Sequence, residues 1–214
     1  MKNLKWMTLF LVVLGLALLP SVAGAQTITG SVWQVSNTTA TNAIFASIPG
    51  TPPDATFTVS NGPIDFQAGT GSFPGYTLAD FVASGGGTCL GSLCSSIMSD
   101  GSTFGMIIEL KGTVTLTAGQ TFTVTHDDGL TLVVGGITLI SAPGATAPIT
   151  TTDTWTGGTG TFSFDLVYGE CCGAPAVLQT SLPLTGQAPE PSSLLLLGTG
   201  LLGLGGFARR RFMA

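Results

Sequence analysis

Charged side chains are scarce in this sequence, and basic ones are almost missing from its middle. Only 8% of the 214 residues are charged, against about 25% in an average soluble protein. Between residues 26 and 188 a single lysine, Lys111, stands against ten acidic residues, which gives this stretch a net charge of −9. Because an acidic surface repels phosphate groups, this composition excludes a DNA- or RNA-binding protein and favours cations or neutral sugars as ligands.

Histidine is equally scarce, and the sequence has no motif of a common enzyme class. His126 is the single histidine, and neither a Gly-x-Ser-x-Gly turn nor a phosphate-binding glycine loop is present. Asp153, Asp165 and Glu170 would be the carboxylates of a glycosidase-like acid pair, although separate surface acids explain them more simply. We therefore predict that the protein is not an enzyme, and a secreted hydrolase is the least favoured alternative.

The first 25 residues have the layout of a secretory signal peptide. Lys2 and Lys5 precede an apolar stretch over residues 6–19, and Ala23 and Ala25 supply the small side chains that signal peptidase requires. This layout predicts an N-terminal signal helix at residues 1–25 that directs export and is removed by cleavage after Ala25.

The last 26 residues combine a short motif, an apolar stretch and a basic cluster. Residues 192–208 are 17 uncharged residues, which reach about 25 Å as a helix, just enough to cross a bilayer core. We predict a transmembrane helix at 194–207, whose C-terminal end is held in the cytoplasm by the arginines that follow. The motif is Pro189, Glu190 and Pro191, and the basic cluster is Arg209, Arg210 and Arg211.

This order of motif, span and arginines resembles the PEP-CTERM sorting signal of Gram-negative bacteria over residues 189–214. The resemblance implies processing by an exosortase, a membrane cysteine protease-transpeptidase, near the Pro-Glu-Pro motif. It also implies a precursor anchored in the inner membrane and a product delivered to the cell surface or the extracellular polysaccharide matrix, usually in biofilm-forming species. The alternative is a plain C-terminal anchor with the same topology and no cleavage.

Between the two ends, short alternating runs of β-branched and aromatic residues are separated by clusters of Gly, Pro, Asn and Asp. This pattern predicts an all-β domain over residues 26–180, an antiparallel β-sandwich of jelly-roll-like form, followed by a linker at 181–188. Gly135-Gly136 lies between two apolar runs and predicts a hairpin, because primed turns need positive φ. Residues Thr77–Ala83 fit either a strand or one helical turn. The predicted strands are 28–35, 55–59, 113–117, 121–125, 130–134, 137–140, 162–168 and 176–178.

The most specific internal motif is residues 126–136, in which Asp127-Asp128-Gly129 precedes an apolar run. With the alternating aromatic segment at 162–170, it resembles the sugar-binding β-sandwich named after anthrax protective antigen, which yeast flocculins and many bacterial surface proteins share. Two adjacent aspartates hold calcium in the lectin members, so the resemblance implies that Asp127 and Asp128 are calcium ligands, consistent with the preference of calcium for carboxylate oxygens. The alternative is an Asp-Asp-Gly turn that only caps a hairpin through its own side-chain hydrogen bonds.

Four cysteines lie in the exported part of the chain, and an even number in an oxidising compartment favours disulfides. One arrangement joins Cys89 to Cys94 and leaves Cys171 and Cys172 as an adjacent pair. The competing arrangement cross-pairs the two clusters, because a bond between neighbours closes a strained eight-membered ring. A zinc site is the third alternative, although these spacings differ from those of common zinc knuckles.

These features together predict an exported surface protein whose β-sandwich associates with exopolysaccharide or with the glycans of a neighbouring cell. Calcium is the one cofactor that the residues favour, and its role would be to mediate carbohydrate binding. Trp33 and Trp155 are candidate stacking platforms for sugars, although tryptophan is more often buried in a core. The alternative function is a structural component of a biofilm matrix with no specific ligand.

Replacing Pro189, Glu190 and Pro191 with alanine tests the sorting signal. Because the exosortase is expected to act near this motif, the variant should accumulate as a precursor of unprocessed size in the membrane fraction, measured by intact mass. Processing of the variant at the wild-type rate would leave only an ordinary membrane anchor.

Overall fold

The computed structural model describes residues 27–186. The predicted signal helix at 1–25, the transmembrane helix at 194–207 and the sorting motif with its arginine cluster lie outside the described residues. Within residues 27–186, no helix is both long enough and apolar enough to span a membrane.

Strands dominate residues 27–186, and two short α-helices and two 3-10 helices, Phe45–Ser47 and Ser92–Ser95, interrupt them. The strands are β1 Thr27–Ser36, β2 Ala55–Ser60, β3 Asp65–Ala68, β4 Thr88–Leu90, β5 Phe104–Leu116, β6 Thr121–Asp127, β7 Gly129–Val134, β8 Ile137–Ala142, β9 Ile149–Thr154, β10 Gly160–Glu170, β11 Ala176–Thr180 and β12 Leu184–Thr185. The helices are α1 Asn37–Ala40 and α2 Leu78–Ser84.

The strands form two antiparallel sheets. The large sheet has eight strands in the order β4-β2-β1-β5-β10-β7-β8, with β12 paired to β5, and the small sheet has the order β3-β11-β6-β9. One hydrophobic core contains side chains from both sheets, among them Leu110 of β5 and Val124 of β6. The predicted fold class, an all-β antiparallel sandwich, is therefore confirmed.

Strand alternation decides which side chains enter the core. Along β5, Met106, Ile108 and Leu110 are fully buried in the core, whereas Lys111 points to solvent. From Leu110 onward β5 shows the alternation expected of a strand with one buried and one wet face. Nearer its start the other face is covered too, because Ile107 is buried in a second cluster with Trp33 and Val167. At Gly30 of β1 the missing side chain is a packing requirement, because a Cβ there would lie 2.2 Å from the ring of Phe57.

The predicted hairpin at Gly135-Gly136 is confirmed. The two glycines have φ values of +56° and +82°. Residues with a side chain rarely adopt positive φ, and a primed turn requires it. Strands β7 and β8 pair on either side of the turn, with Val134 opposite Ile137.

Helix α2 resolves the segment at Thr77–Ala83, for which the sequence allowed a strand or a helical turn. The Asp80 N–H donates to the Thr77 hydroxyl at 3.2 Å, and the Thr77 N–H donates to the Asp80 carboxylate at 2.9 Å. This capping box begins the helix, which then buries Leu78, Phe81 and Val82. The cap also fixes the backbone next to Tyr76, the residue before Thr77.

Four strands were not predicted from the sequence. Strands β3, β4 and β12 have 4, 3 and 2 residues, which is too short for alternation to be recognised. Strand β9 reads Ile-Thr-Thr-Thr-Asp-Thr and pairs only with β6, at the edge of the small sheet. An edge strand without an apolar face carries no period-2 signal.

The prediction of a linker at 181–188 is wrong for the part that the structure describes. Leu182 and Leu184 are fully buried, and β12 pairs with β5, so that Leu184 lies opposite Val114. The two leucines alternate with Ser181 and Pro183. Their burial shows that the sandwich continues past residue 180 and includes β12.

A row of aromatic rings crosses the core towards one end of the sandwich. The ring centroids of Phe57 and Phe66 are 5.6 Å apart, those of Phe66 and Phe81 are 5.1 Å apart, and Phe81 stacks on Tyr168 at 5.7 Å. These spacings are typical of stabilising aromatic pairs. Phe66 contacts rings on two sides and is therefore a central element of the core.

Phe66→Ala is expected to lower the free energy of unfolding by about 3–5 kcal/mol, because it removes a buried ring and leaves a cavity. Phe73→Ala is the matched control, since Phe73 is 36% exposed and its loss should cost about 1 kcal/mol or less. Denaturant unfolding of both variants measures the difference, and equal destabilisation would contradict this description of the core.

Candidate metal centre

The Asp127-Asp128 pair lies where the chain passes from one sheet to the other. Asp127 ends β6 in the small sheet, and Gly129 begins β7 in the large sheet. The peptide bond between the two aspartates is cis. Because β6 and β7 do not pair with each other, the alternative of an Asp-Asp-Gly turn that caps a hairpin is wrong.

Backbone donors from two distant loops hold the Asp128 carboxylate. The Thr146 N–H donates to Oδ1 at 3.1 Å, and the Cys171 N–H donates to Oδ2 at 2.8 Å. Both Asp127 and Asp128 are only 4% exposed. A carboxylate oxygen has two lone pairs, so each oxygen of Asp128 keeps the capacity to accept a further donor or a cation.

A third carboxylate, Glu170, belongs to the same hydrogen-bonded group. Glu170 is fully buried at the end of β10. The Tyr76 hydroxyl donates to its Oε1 and the Tyr168 hydroxyl to its Oε2, each at 2.6 Å. The Tyr168 hydroxyl also contacts the backbone carbonyl oxygen of Asp127, which ties Glu170 directly to the aspartate pair.

The described chain places no lysine or arginine beside these three acids, and His126 is the one histidine near them. Lys111 is the only lysine or arginine between residues 27 and 186. Its ammonium group lies 2.6 Å from Glu109 and 3.7 Å from Asp165. The buried carboxylates of Asp127, Asp128 and Glu170 must therefore stay protonated or take a cation from outside.

Burial is the main cause of the perturbed acidities at this site. Burial raises the pKa of Asp127 to about 7, and the neighbouring carboxylate of Asp128 adds to this shift. Burial also raises the pKa of Asp128, although the N–H groups of Cys171 and Thr146 oppose the shift. The pKa of Glu170 is raised well above its usual value by burial, against the two tyrosine hydroxyls.

The donor set fits a hard divalent cation. Carboxylate oxygens are the ligands that calcium prefers, and removing the repulsion between adjacent buried carboxylates would favour binding. Asp127 and Asp128 are the residues with oxygen capacity to spare. Both oxygens of Glu170 are already engaged with tyrosine hydroxyls, so Glu170 has no free oxygen to offer a cation.

The cysteines form two local disulfides, and cross-pairing of the two clusters does not occur. One bond joins Cys89 to Cys94 and the other joins Cys171 to Cys172. A carboxylate oxygen of Asp128 and the Sγ atoms of Cys171 and Cys172 lie within 4.8 Å of one another. The zinc alternative needs thiolates, and the four sulfurs are all engaged in these bonds.

The other residues singled out in the sequence lie elsewhere or play supporting parts. Trp33 and Trp155 are buried, with their indole N–H groups donating to the carbonyl oxygens of Thr51 and Gly158. Asp153 lies on β9, and Asp165 contacts Lys111.

His126 lies beside the aspartate pair and is buried. Its Nδ1 lies 2.5 Å from the Asp128 carbonyl oxygen, and its Nε2 has no partner among the described residues.

Sequence reasoning found the two aspartates but did not place Glu170 or the Cys171–Cys172 bond beside them. The sole local signal was that Glu170 ends the alternating apolar strand β10 and that Cys171 directly follows it. Tyr76, on the loop before α2, had no signal at all, because its contact with Glu170 spans 94 residues of sequence.

The raised acidities predict how stability depends on pH when calcium is removed. Asp127 has a pKa near 3.9 when unfolded and about 7 when folded. Its folded form therefore binds protons more tightly, and the stability that it contributes is complete below about pH 4 and lost as the pH rises to about 7. With a chelator present, the melting temperature should fall between pH 5 and pH 8.

Asp127→Asn is the matched variant, because asparagine resembles the protonated acid and does not titrate. The fall in melting temperature between pH 5 and pH 8 should be smaller in this variant than in the wild type, measured by calorimetry in chelator. A melting temperature that rises over this range in the wild type would show that the aspartate pair is not buried as described.

The C-terminal residues match a known sorting signal. Residues 187–211 match the family "PEP-CTERM protein-sorting motif". This motif marks an exported protein that is sorted to the surface. No curated protein sequence matches the chain.

Solved structures share the fold of the described sandwich. The PA14 sugar-binding domain from an RTX adhesin is 23% identical, with a TM-score of 0.51, over 78% of this chain and all of that domain. The PA14 domain of the MpAFP antifreeze protein is 20% identical, with a TM-score of 0.48, over 81% of this chain and 98% of that domain. The chain thus combines a β-sandwich of the PA14 fold with a C-terminal PEP-CTERM protein-sorting motif.

Proposed function

We propose that the exported sandwich binds saccharides of a cell surface or an extracellular matrix through a calcium ion held by Asp127 and Asp128. The observation that carries this proposal is the group of three buried carboxylates beside which the described chain places no lysine or arginine. A bound divalent ion would neutralise the two aspartates and so lower the electrostatic repulsion between them and the Glu170 carboxylate.

The chain's own residues prepare the site for such an ion. The N–H groups of Thr146 and Cys171 orient the Asp128 carboxylate, and Tyr168 bridges the Asp127 backbone and Glu170. Calcium, when bound, supplies coordination positions that sugar hydroxyls can fill. The acidic, lysine-poor surface suits neutral sugars and disfavours anionic polymers.

The structural comparison supports the same function. The RTX adhesin domain with this fold is described as sugar-binding, and its fold extends over most of the described residues. The proposed role is adhesion or association with exopolysaccharide, and no catalytic step is part of it. Asp165 pairs with Lys111 on the face of β10 opposite Glu170, so these two acids do not flank a common cleft.

We further propose the route by which the sandwich reaches its ligand. Signal peptidase would remove residues 1–25, and the segment at 194–207 would hold the precursor in the inner membrane of a Gram-negative bacterium. An exosortase would then cleave near Pro189, Glu190 and Pro191, consistent with the match at 187–211. The product would reside at the cell surface or in the extracellular matrix of a biofilm.

Calcium should raise the melting temperature of the protein purified after export. At a hundredfold excess over the Kd, binding adds about 2.7 kcal/mol to the free energy of unfolding, which corresponds to roughly 5–10 °C for a domain of this size. Asp127→Asn and Asp128→Asn should each abolish this gain, because each removes a negatively charged ligand.

Asp153→Asn is the matched control, since Asp153 lies on the edge strand β9 and its carboxylate accepts only the N–H of the next residue. This variant should respond to calcium as the wild type does. A panel of methyl mannoside, methyl galactoside, methyl fucoside and methyl glucoside then tests the sugar, with and without chelator. Identical melting curves in calcium and in chelator would overturn the proposal, and calcium binding without any saccharide binding would favour a structural matrix protein.

A further inference from the structure

The Cys171–Cys172 disulfide borders the candidate calcium site at the protein surface. Its two Sγ atoms and a carboxylate oxygen of Asp128 lie within 4.8 Å of one another. Cys171 is fully buried, whereas Cys172 is exposed. The disulfide therefore lies between the buried Asp128 carboxylate and solvent.

Contacts on both sides hold this disulfide in place. The Cys171 N–H donates to Asp128 Oδ2 at 2.8 Å, and the Cys172 N–H donates to the side-chain oxygen of Asn37 at 3.3 Å. Packing fixes the chain that follows, because a Cβ on Gly69 would lie 2.7 Å from the Ala174 methyl group. The disulfide is thus a preorganised surface, and binding against it orders no further side chain.

Disulfide sulfur suits the apolar side of a sugar. It carries no hydrogen-bond donor and is a weak acceptor, so it is desolvated at little cost and contacts C–H groups well. Saccharide sites usually place an aromatic ring there, but Trp33, Trp155 and Tyr168 are buried. Tyr76 is engaged with Glu170, and the exposed ring of Phe73 lines a separate groove with Asp80 and Ser84.

We propose that the Cys171–Cys172 disulfide is the apolar wall of the saccharide site. A sugar whose hydroxyls bind the calcium at Asp128 would lay its C–H face on the exposed sulfur of Cys172. This inference rests on the calcium-mediated sugar binding proposed above and adds the residues that contact the sugar ring. No covalent or redox step is involved, because the disulfide acts as a surface.

The double variant C171S/C172S tests this role. The backbone N–H of residue 171 remains, so calcium should still raise the melting temperature, which also shows that the variant is folded. Affinity for the methyl glycosides that the wild type binds in the panel should fall about tenfold, the effect of losing roughly two methylene groups of apolar contact. Scanning calorimetry with and without calcium measures the melting temperature, and titration calorimetry in saturating calcium measures the glycoside affinity.

C89S/C94S is the matched control, because this disulfide joins β4, at one edge of the large sheet, to the 3-10 helix at Ser92–Ser95, whereas β7, which follows the aspartate pair, lies towards the other edge. It should bind the glycosides as the wild type does. Unchanged glycoside affinity in C171S/C172S would overturn this inference and leave the proposed function standing. If Phe73→Ala lost glycoside affinity instead, the apolar contact with the sugar would lie in the groove beside α2 and the inference would be wrong. A wild type that responds to neither calcium nor glycosides would overturn the proposed function and this inference together.

Discussion

Charge neutralisation at the end of the sandwich is the constraint on which the rest of the site depends. Asp127, Asp128 and Glu170 are buried together, and the one lysine of the described chain is held by Glu109 and Asp165. Buried carboxylates without a partner are costly. The carboxylates of Asp128 and Glu170 accept hydrogen bonds, and burial raises the pKa values of all three acids, which favours their protonated forms. The proposed divalent cation would take the place of these protons at the aspartate pair.

The architecture places these groups together although they are far apart in sequence. The aspartate pair joins the two sheets, Glu170 ends the inward face of β10, and Tyr76 arrives from the loop that the α2 cap fixes. The aromatic row from Phe57 to Tyr168 connects the core to this end. A well-packed sandwich interior therefore supports the positions of the buried polar groups at this end.

Local sequence patterns were enough for the fold class and for part of the site. Alternation predicted β1 and most of β10 but only the last part of β5, at 113–117. Gly135-Gly136 predicted a hairpin, and Asp127-Asp128 carried a recognisable motif. Strand β9 escaped because an edge strand without an apolar face has no periodic signal, and Leu184 was assigned to a linker because two residues are too few for a pattern. Glu170, Tyr76 and the Cys171–Cys172 bond joined the site only through tertiary contacts, which one sequence does not reveal.

Sensitised terbium luminescence would detect a cation bound at Asp127 and Asp128, because terbium replaces calcium at oxygen sites and accepts energy from nearby aromatic rings. The chain has two tyrosines, and both donate hydrogen bonds to Glu170 beside the aspartate pair. The account predicts strong terbium emission on tyrosine excitation, displaced by calcium and lost when Asp127 and Asp128 are both changed to Asn. Emission that is absent in the wild type, or that persists unchanged in this double variant, would contradict a cation site at the junction of the two sheets.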